Sequence, residues 1–201
     1  MINLYTSFYQ DKDLKRQKEL LFCLNQNIKN PLIDKIYLII EGEVIVPESD
    51  KIVLIPFKRP TYRDFFELIG RRVQSSDEIS IICNTDIYFN HTLSLLDFHS
   101  RQCVSLSRWD YKREGLRLHN ERYSQDTWIF KGKIRNVRFA DFYMGIPGCD
   151  NRIAYELNRA GYRLLNPATK VQSIHYHQSD LHNYTQQTPK IPKPYLYVEI
   201  T

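Results

Sequence analysis

The stretch Glu78-Ile-Ser-Ile-Ile-Cys-Asn-Thr-Asp-Ile-Tyr-Phe89 decides how the rest of the chain is read. Its β-branched and apolar run stops at Asn84-Thr85-Asp86, then turns apolar again. Such a run predicts a strand buried on both faces, as in a parallel sheet covered by helices. A carboxylate at the end of that strand stands at the carboxyl edge of the sheet, where open α/β folds take their ligands. There Asp86 can hold a hard divalent cation, and such a cation typically brings phosphates with it. It can equally cap a turn, as Asx residues often do.

Outward from this segment, strand and helix signals alternate. Residues 2–8, 35–40, 51–57 and 79–83 read as strands. A helix is predicted over 11–28, with Leu14, Leu21, Leu24 and Ile28 on one stripe and Asn30-Pro31 ending it. A second helix starts at Thr61, whose hydroxyl can cap while Asp64 sits three residues on. Tyr62, Phe65, Phe66, Ile69 and Val73 follow it at helical spacing. A short helix near 92–98 and strands near 103–106 and 127–130 come next, separated by a charged, aromatic loop from Arg108 to Gln125. Asp150 precedes a last helix over 151–160, with Gly161 as its stop. The alternation predicts βαβ units and a largely parallel sheet. One α/β domain over 1–187 is expected, followed by an extended tail, 188–201, in which Thr188-Pro-Lys-Ile-Pro-Lys-Pro-Tyr195 carries three prolines.

With 201 residues, one domain can bury a substantial core. The net charge of +5 is scattered, which suits an anionic small ligand but gives no long basic stripe for nucleic acid. Cys23, Cys83, Cys103 and Cys149 show neither CxxC nor zinc spacing, and two of them lie in apolar runs and should be buried thiols. The chain enters a strand-like stretch with no basic n-region or signal core, and no apolar run approaches the ~20 residues that span a bilayer. A cytoplasmic setting is expected, in which the sequons at Asn90 and Asn183 are accidental.

Polar clusters follow three of the strands: Thr6, Ser7 and Tyr9, then Lys58 and Arg59, then Asn84 and Asp86. In a parallel sheet all three open on the same edge. A nucleoside diphosphate fits them, with a base against Phe8 or Tyr62, phosphates near Arg59 or Arg63, and a metal on Asp86. Neither GxGxxG nor GxxxxGK[ST] is present, so dinucleotide-binding and P-loop readings are weak. A bound cation would have to replace the missing backbone cradle. His175-Tyr-His177 alternates, which places both imidazoles on one side of an extended segment. Trp109 and Tyr111 can stack on an acceptor sugar or pin their loop to the core.

Ser107-Arg-Trp-Asp110, Ser124-Gln-Asp-Thr-Trp-Ile-Phe-Lys-Gly132, Gly145-Ile-Pro-Gly-Cys-Asp-Asn-Arg-Ile-Ala-Tyr-Glu-Leu157 and Asn166-Pro167 stand in an informative order. Together they resemble small GT-A-fold nucleotide-sugar glycosyltransferases of the DxD type, similar to family 2, over about 2–184. The resemblance implies a GT-A-like (Rossmann-like), mostly parallel central sheet flanked by helices. It also implies metal-dependent transfer of a sugar from a nucleotide donor, UDP ahead of GDP and dTDP, to a carbohydrate hydroxyl. Asn84-Thr-Asp86 then looks like the DxD motif, whose last carboxylate binds Mn²⁺ or Mg²⁺. Asn84 replaces the first Asp and adds no charge, so weak metal affinity is expected before the donor arrives. By resemblance Asp150 is a general base, alongside its reading as an N-cap, and Asp126 is the second candidate carboxylate. The resemblance also lets His175 or His177 complete the metal shell, where imidazole suits Mn²⁺ better than Mg²⁺. One rival is a sugar-1-phosphate nucleotidyltransferase, which normally needs a Gly/Arg/Lys-rich loop where this chain has Thr6-Ser7-Phe8-Tyr9. The other is a non-catalytic carbohydrate- or nucleic-acid-binding module on the same fold.

Overall fold

A computed structural model of the chain describes residues 1–179 and 188–201. The Asn183 sequon and the end of the resemblance near Tyr184 lie outside the described residues. The chain order begins β1 (Ile2–Tyr9), α1 (Leu14–Lys29), β2 (Lys35–Glu41), β3 (Ile52–Pro56), α2 (Tyr62–Arg72), β4 (Ile79–Cys83) and β5 (Ile87–Phe89). After a 3-10 turn, His91–Leu95, come β6 (Gln102–Leu106), β7 (Arg108–Lys112), β8 (Gly115–Leu118) and β9 (Thr127–Lys131). The last elements are α3 (Cys149–Arg159), β10 (Arg163–Leu165) and β11 (Ser173–His175).

Seven strands form the central sheet in the order β10-β6-β9-β4-β1-β2-β3. Only β9 is reversed; it pairs antiparallel with both β4 and β6, and the other pairings are parallel. Successive residues of a strand face opposite sides, so each central strand feeds two cores. Leu4, Ile81 and Ile129 pack with Leu20 and Leu24 of α1 on one face. On the other, Tyr5, Ile82 and Trp128 pack with Phe65 and Ile69 of α2 and with Ile153 and Leu157 of α3. This is the mixed α/β, mostly parallel architecture that the alternating pattern predicts. All four cysteines are buried and unbridged.

A second sheet, β5-β11-β7-β8, lies beyond the carboxyl end of β4. It corrects the expectation of a structureless loop from Arg108 to Gln125, because β7 and β8 form an antiparallel hairpin there. The other strand that pairs with β7 is β11, more than sixty residues later, so local periodicity did not show that pairing.

Helix boundaries also differ from expectation. Asp13 rather than Asp11 starts α1, its carboxylate accepting from the N–H groups of Lys15 and Arg16. Leu14 is 74% exposed and leaves the predicted stripe; Arg16, Gln17 and Glu19 are buried beside Leu20, Cys23 and Leu24. In α2 the predicted cap is present, with Thr61 and Asp64 bonding reciprocally. The 3-10 turn replaces the short helix near 92–98, and Asn90 caps it through its side chain. Asp150 is not an N-cap. It lies inside the first turn of α3, whose cap is Gly148 at φ 85°, a left-handed conformation suited to glycine.

Candidate active site

Because β9 runs backwards, its amino end arrives at the edge where β1, β2 and β4 finish. Asp126 therefore meets Asn84 there: the Asn84 N–H donates to the Asp126 carbonyl (3.2 Å) and its side-chain amide to Asp126 Oδ1 (2.6 Å). A cleft of about 540 Å³ opens at this edge, a size suited to a nucleotide-scale ligand. Phe8, Tyr9, Arg59, Asn84, Thr85 and Asp86 line one part, and the loop from Met144 to Gly148 with the first residues of α3, Cys149 and Asp150, lines another.

The second sheet sets the register of the charged groups. His175 on β11 pairs with Ile87, the neighbour of Asp86, and with Asp110 on β7. Its Nε2 lies 3.2 Å from Asp86 Oδ2 and its Nδ1 3.1 Å from Asp110 Oδ1. Arg108 donates to Asp110 Oδ1 (2.9 Å) and Asp126 Oδ2 (3.2 Å). From α1, Arg16 donates to Asp86 Oδ2 at 2.5 Å and to Glu19 Oε2 at 2.9 Å. The result is a continuous line of alternating charge, Glu19, Arg16, Asp86, His175, Asp110, Arg108 and Asp126.

This network sets the protonation chemistry. Burial disfavours charge on His175, but the carboxylates of Asp110 and Asp86 outweigh it and hold the ring proton up to about 9. Burial would raise Asp86, yet His175 and Arg16 hold it well below the usual carboxylate range. Asp150 goes the other way: burial first, then the charge of Asp126, push it well above that range. A half-buried carboxyl with a raised pKa in a cleft is what a general base working near neutrality requires.

Asp86, His175 and His177 each offer a ligand atom, and these atoms lie within 4.8 Å of one another. One carboxylate and two imidazoles form a donor set that suits Mn²⁺ or a similar transition metal. The Arg16 and His175 contacts both fall on Oδ2 of Asp86, so a cation would compete for that oxygen.

The structure brings Tyr9, Arg59, Asn84, Asp86, Asp126, Asp150, His175 and His177 to one cleft, where Phe8 borders the wall but is 1% exposed and packs into the core. Other candidates lie elsewhere. Thr6 spends its hydroxyl on the Cys83 carbonyl (2.9 Å), Tyr62 is buried in the core against Trp128 and Phe142, and Arg63 is drawn away to Asp141 (2.5 Å). Trp109 donates to the Ala168 carbonyl (2.7 Å) and so pins its hairpin, while Tyr111 is exposed against Tyr176. Sequence reasoning missed Arg16, Glu19, Arg108 and Asp110. For the last two a signal existed, since their period-two spacing in Ser107-Arg-Trp-Asp110 places both on one face of a strand.

No protein-family model matches the sequence, and no curated protein does. Among solved structures the fold is similar to the mannosyltransferase PcManGT from Pyrobaculum calidifontis in complex with GDP-Man and Mn²⁺. The identity is 11% and the TM-score 0.52, with 88% of this chain and 56% of that one covered. A second similarity, to the 2-C-methyl-D-erythritol 4-phosphate cytidylyltransferase (IspD) of Francisella tularensis, has 15% identity, a TM-score of 0.42 and coverage of 64% and 72%. The first defines the class at the level of fold, a GT-A-like α/β protein. The chain spans little more than half of the mannosyltransferase's length. No helix among the described residues is long and apolar enough to cross a membrane.

Proposed function

We propose that this protein is a metal-dependent glycosyltransferase, moving a sugar from a nucleotide donor, UDP-linked for preference, to a carbohydrate hydroxyl with inversion. The observation that carries this reading is the pairing, in one cleft, of a cation-ligating cluster with a carboxyl of raised pKa. Its fold is shared with a mannosyltransferase that was solved with GDP-Man and Mn²⁺, which supports a nucleotide-sugar donor and the same metal. We assign 1–187 as the catalytic unit and 188–201 as a strap on it. Four buried, unbridged cysteines suit action in the reducing cytoplasm.

Asp86, His175 and His177 would hold the cation. When bound, it offsets charge on the departing diphosphate. The nucleoside packs at the carboxyl end of β1, by Tyr9, with Arg59 facing the phosphates. An acceptor oxygen attacks the anomeric carbon as the bond to the diphosphate breaks and its electron pair leaves with the phosphate. Asp150 takes the acceptor proton. Asp126, fixed by Asn84 and Arg108, orients the sugar hydroxyls. Tyr111 offers an aromatic face to the acceptor, while Trp109 holds the hairpin that carries it. Thr6-Ser7-Phe8-Tyr9, the end of β1, lacks the glycines and cations that a nucleotidyltransferase would place there.

Thermal shift with UDP, GDP and their sugar conjugates, with and without Mn²⁺, tests the donor site. A ligand at ~100 times its Kd adds roughly 2.7 kcal/mol. In a domain of this size the Tm should rise on the order of 5–10 °C. UDP with Mn²⁺ is expected to give the largest shift and Mn²⁺ alone little. No shift by any nucleotide under any metal condition would refute the reading.

A further inference from the structure

Arg16 stands at the metal end of the cleft with two of its donors committed to carboxylates. One nitrogen holds Asp86 Oδ2 (2.5 Å) and another holds Glu19 Oε2 (2.9 Å), with the side chain only 8% exposed. Glu19 is itself anchored: it accepts from the N–H groups of Gln178 and Ser179 (2.7 Å each) and from the Ser179 hydroxyl (3.0 Å). The Glu19 contact is therefore a fixed pivot. The Nε–H of Arg16 is buried and has no hydrogen-bond partner among the described residues. A buried donor without an acceptor is costly, so the present position of the guanidinium leaves one of its needs unmet.

The same oxygen of Asp86 belongs to the candidate cation cluster. A guanidinium and a divalent cation cannot both sit on it without strong repulsion, since like charges a few ångströms apart are poorly screened in a buried site. A diphosphate entering the cleft changes the balance. It brings acceptor oxygens and negative charge, and a planar guanidinium pairs with phosphate through two N–H groups at once.

We propose that Arg16 is a two-position cation that couples metal binding to donor binding. Without donor it is the counter-ion of Asp86. When the diphosphate arrives it pivots about Glu19, gives Nε–H and an Nη–H to a phosphate oxygen, and leaves Asp86 to the metal. The inference rests on the donor-site reading above and adds an order to it: metal alone binds weakly, and metal and nucleotide strengthen one another. Reciprocal coupling of this kind is worth roughly 5–150-fold in affinity.

Calorimetric titration of Mn²⁺ without nucleotide, and of UDP or GDP in saturating Mn²⁺, tests it on the wild type, Arg16→Gln and Arg16→Lys. Arg16→Gln should bind Mn²⁺ alone roughly 5–150-fold tighter and the nucleotide more weakly by a similar factor. Arg16→Lys, which keeps the charge but loses the fork, should fall between. Because Arg16→Gln leaves Glu19 without its cation, the double variant Arg16→Gln/Glu19→Gln provides a folded alternative, checked by circular dichroism. On the unaltered protein, the ¹⁵N resonance of Arg16 Nε should move when Mg²⁺ and UDP are added together and stay when Mg²⁺ is added alone. Metal and nucleotide affinities unchanged in the Arg16 variants, or an unmoved resonance in a protein that binds nucleotide, would overturn the pivot alone. A wild type that binds no nucleotide with any metal would overturn the donor-site reading as well.

Discussion

Asp150 is held where burial and the charge of Asp126 both resist its ionisation. A carboxyl with a raised folded-state pKa favours the folded state while protonated, and that contribution is lost as pH rises through the raised value. Asp150→Asn should therefore melt higher than the wild type at pH 8, by roughly 1–2 kcal/mol after the lost helix-dipole interaction is allowed for. The two should converge at acid pH. Transfer should fall roughly 10²–10⁴-fold in the same variant, with nucleotide binding unchanged. In the wild type, transfer should decline as pH drops through the raised pKa, because the base is then protonated. Stability lowered and activity retained in Asp150→Asn would remove the base assignment, with Asp126 the next candidate. Asp86 calls for a gentler change than alanine, since removing one partner of a buried ion pair costs roughly 3–5 kcal/mol. Asp86→Asn keeps an acceptor for Arg16 and should lose the Mn²⁺-dependent part of the UDP thermal shift; a full shift would move the metal elsewhere. At this scale the sequence revealed Asn84 and Asp86, because the end of a buried strand is marked by an abrupt polar break. Arg16 and Glu19 stayed hidden, since a charged pair on a helix reads as a solvated face until its partner, seventy residues away, is placed.

The loop that delivers Asp150 is fixed by the C-terminal strap rather than by its own sequence. Ile191 N–H donates to the Pro147 carbonyl (2.9 Å), Arg152 donates to the Pro192 and Lys193 carbonyls, and the Tyr195 hydroxyl caps the Ile191 carbonyl. Gly148 makes this contact possible. A Cβ there would stand 2.6 Å from the Tyr195 hydroxyl, on a backbone already at φ +85°. Gly148→Ala should cost roughly 1–3 kcal/mol in stability and lower transfer with little change in nucleotide affinity. Melting curves and Michaelis–Menten kinetics check it, and unchanged kcat would detach the strap from catalysis. Three prolines argue for an extended tail, but no local pattern says what it docks against. For the same reason the β7–β8 hairpin was hidden: its faces are charged and partly exposed, and its pairing with β11 is nonlocal. Tyr62 shows the reverse case, where its place in the apolar stripe of α2 already indicated core.

Across the whole molecule, one reversed strand and one added sheet create the cleft. Reversal of β9 carries Asp126 to the edge where β1 and β4 end, and the second sheet brings His175 beside Asp86. The alternation of apolar runs made the central sheet legible, because strands buried on both faces must be apolar throughout. It did not reveal the reversal, since an apolar run carries no direction. The reaction proposed for this architecture is transfer of a sugar from a nucleotide. The most direct measurement is release of nucleoside diphosphate from UDP- and GDP-sugars incubated with the protein, Mn²⁺ and a panel of carbohydrate acceptors, beside Asp150→Asn. Acceptor-stimulated release is expected with the wild type and EDTA-treated samples should lose it, with the variant down by roughly 10²–10⁴-fold. Release that is absent with every donor and acceptor, or equal in the variant and in EDTA, would contradict it.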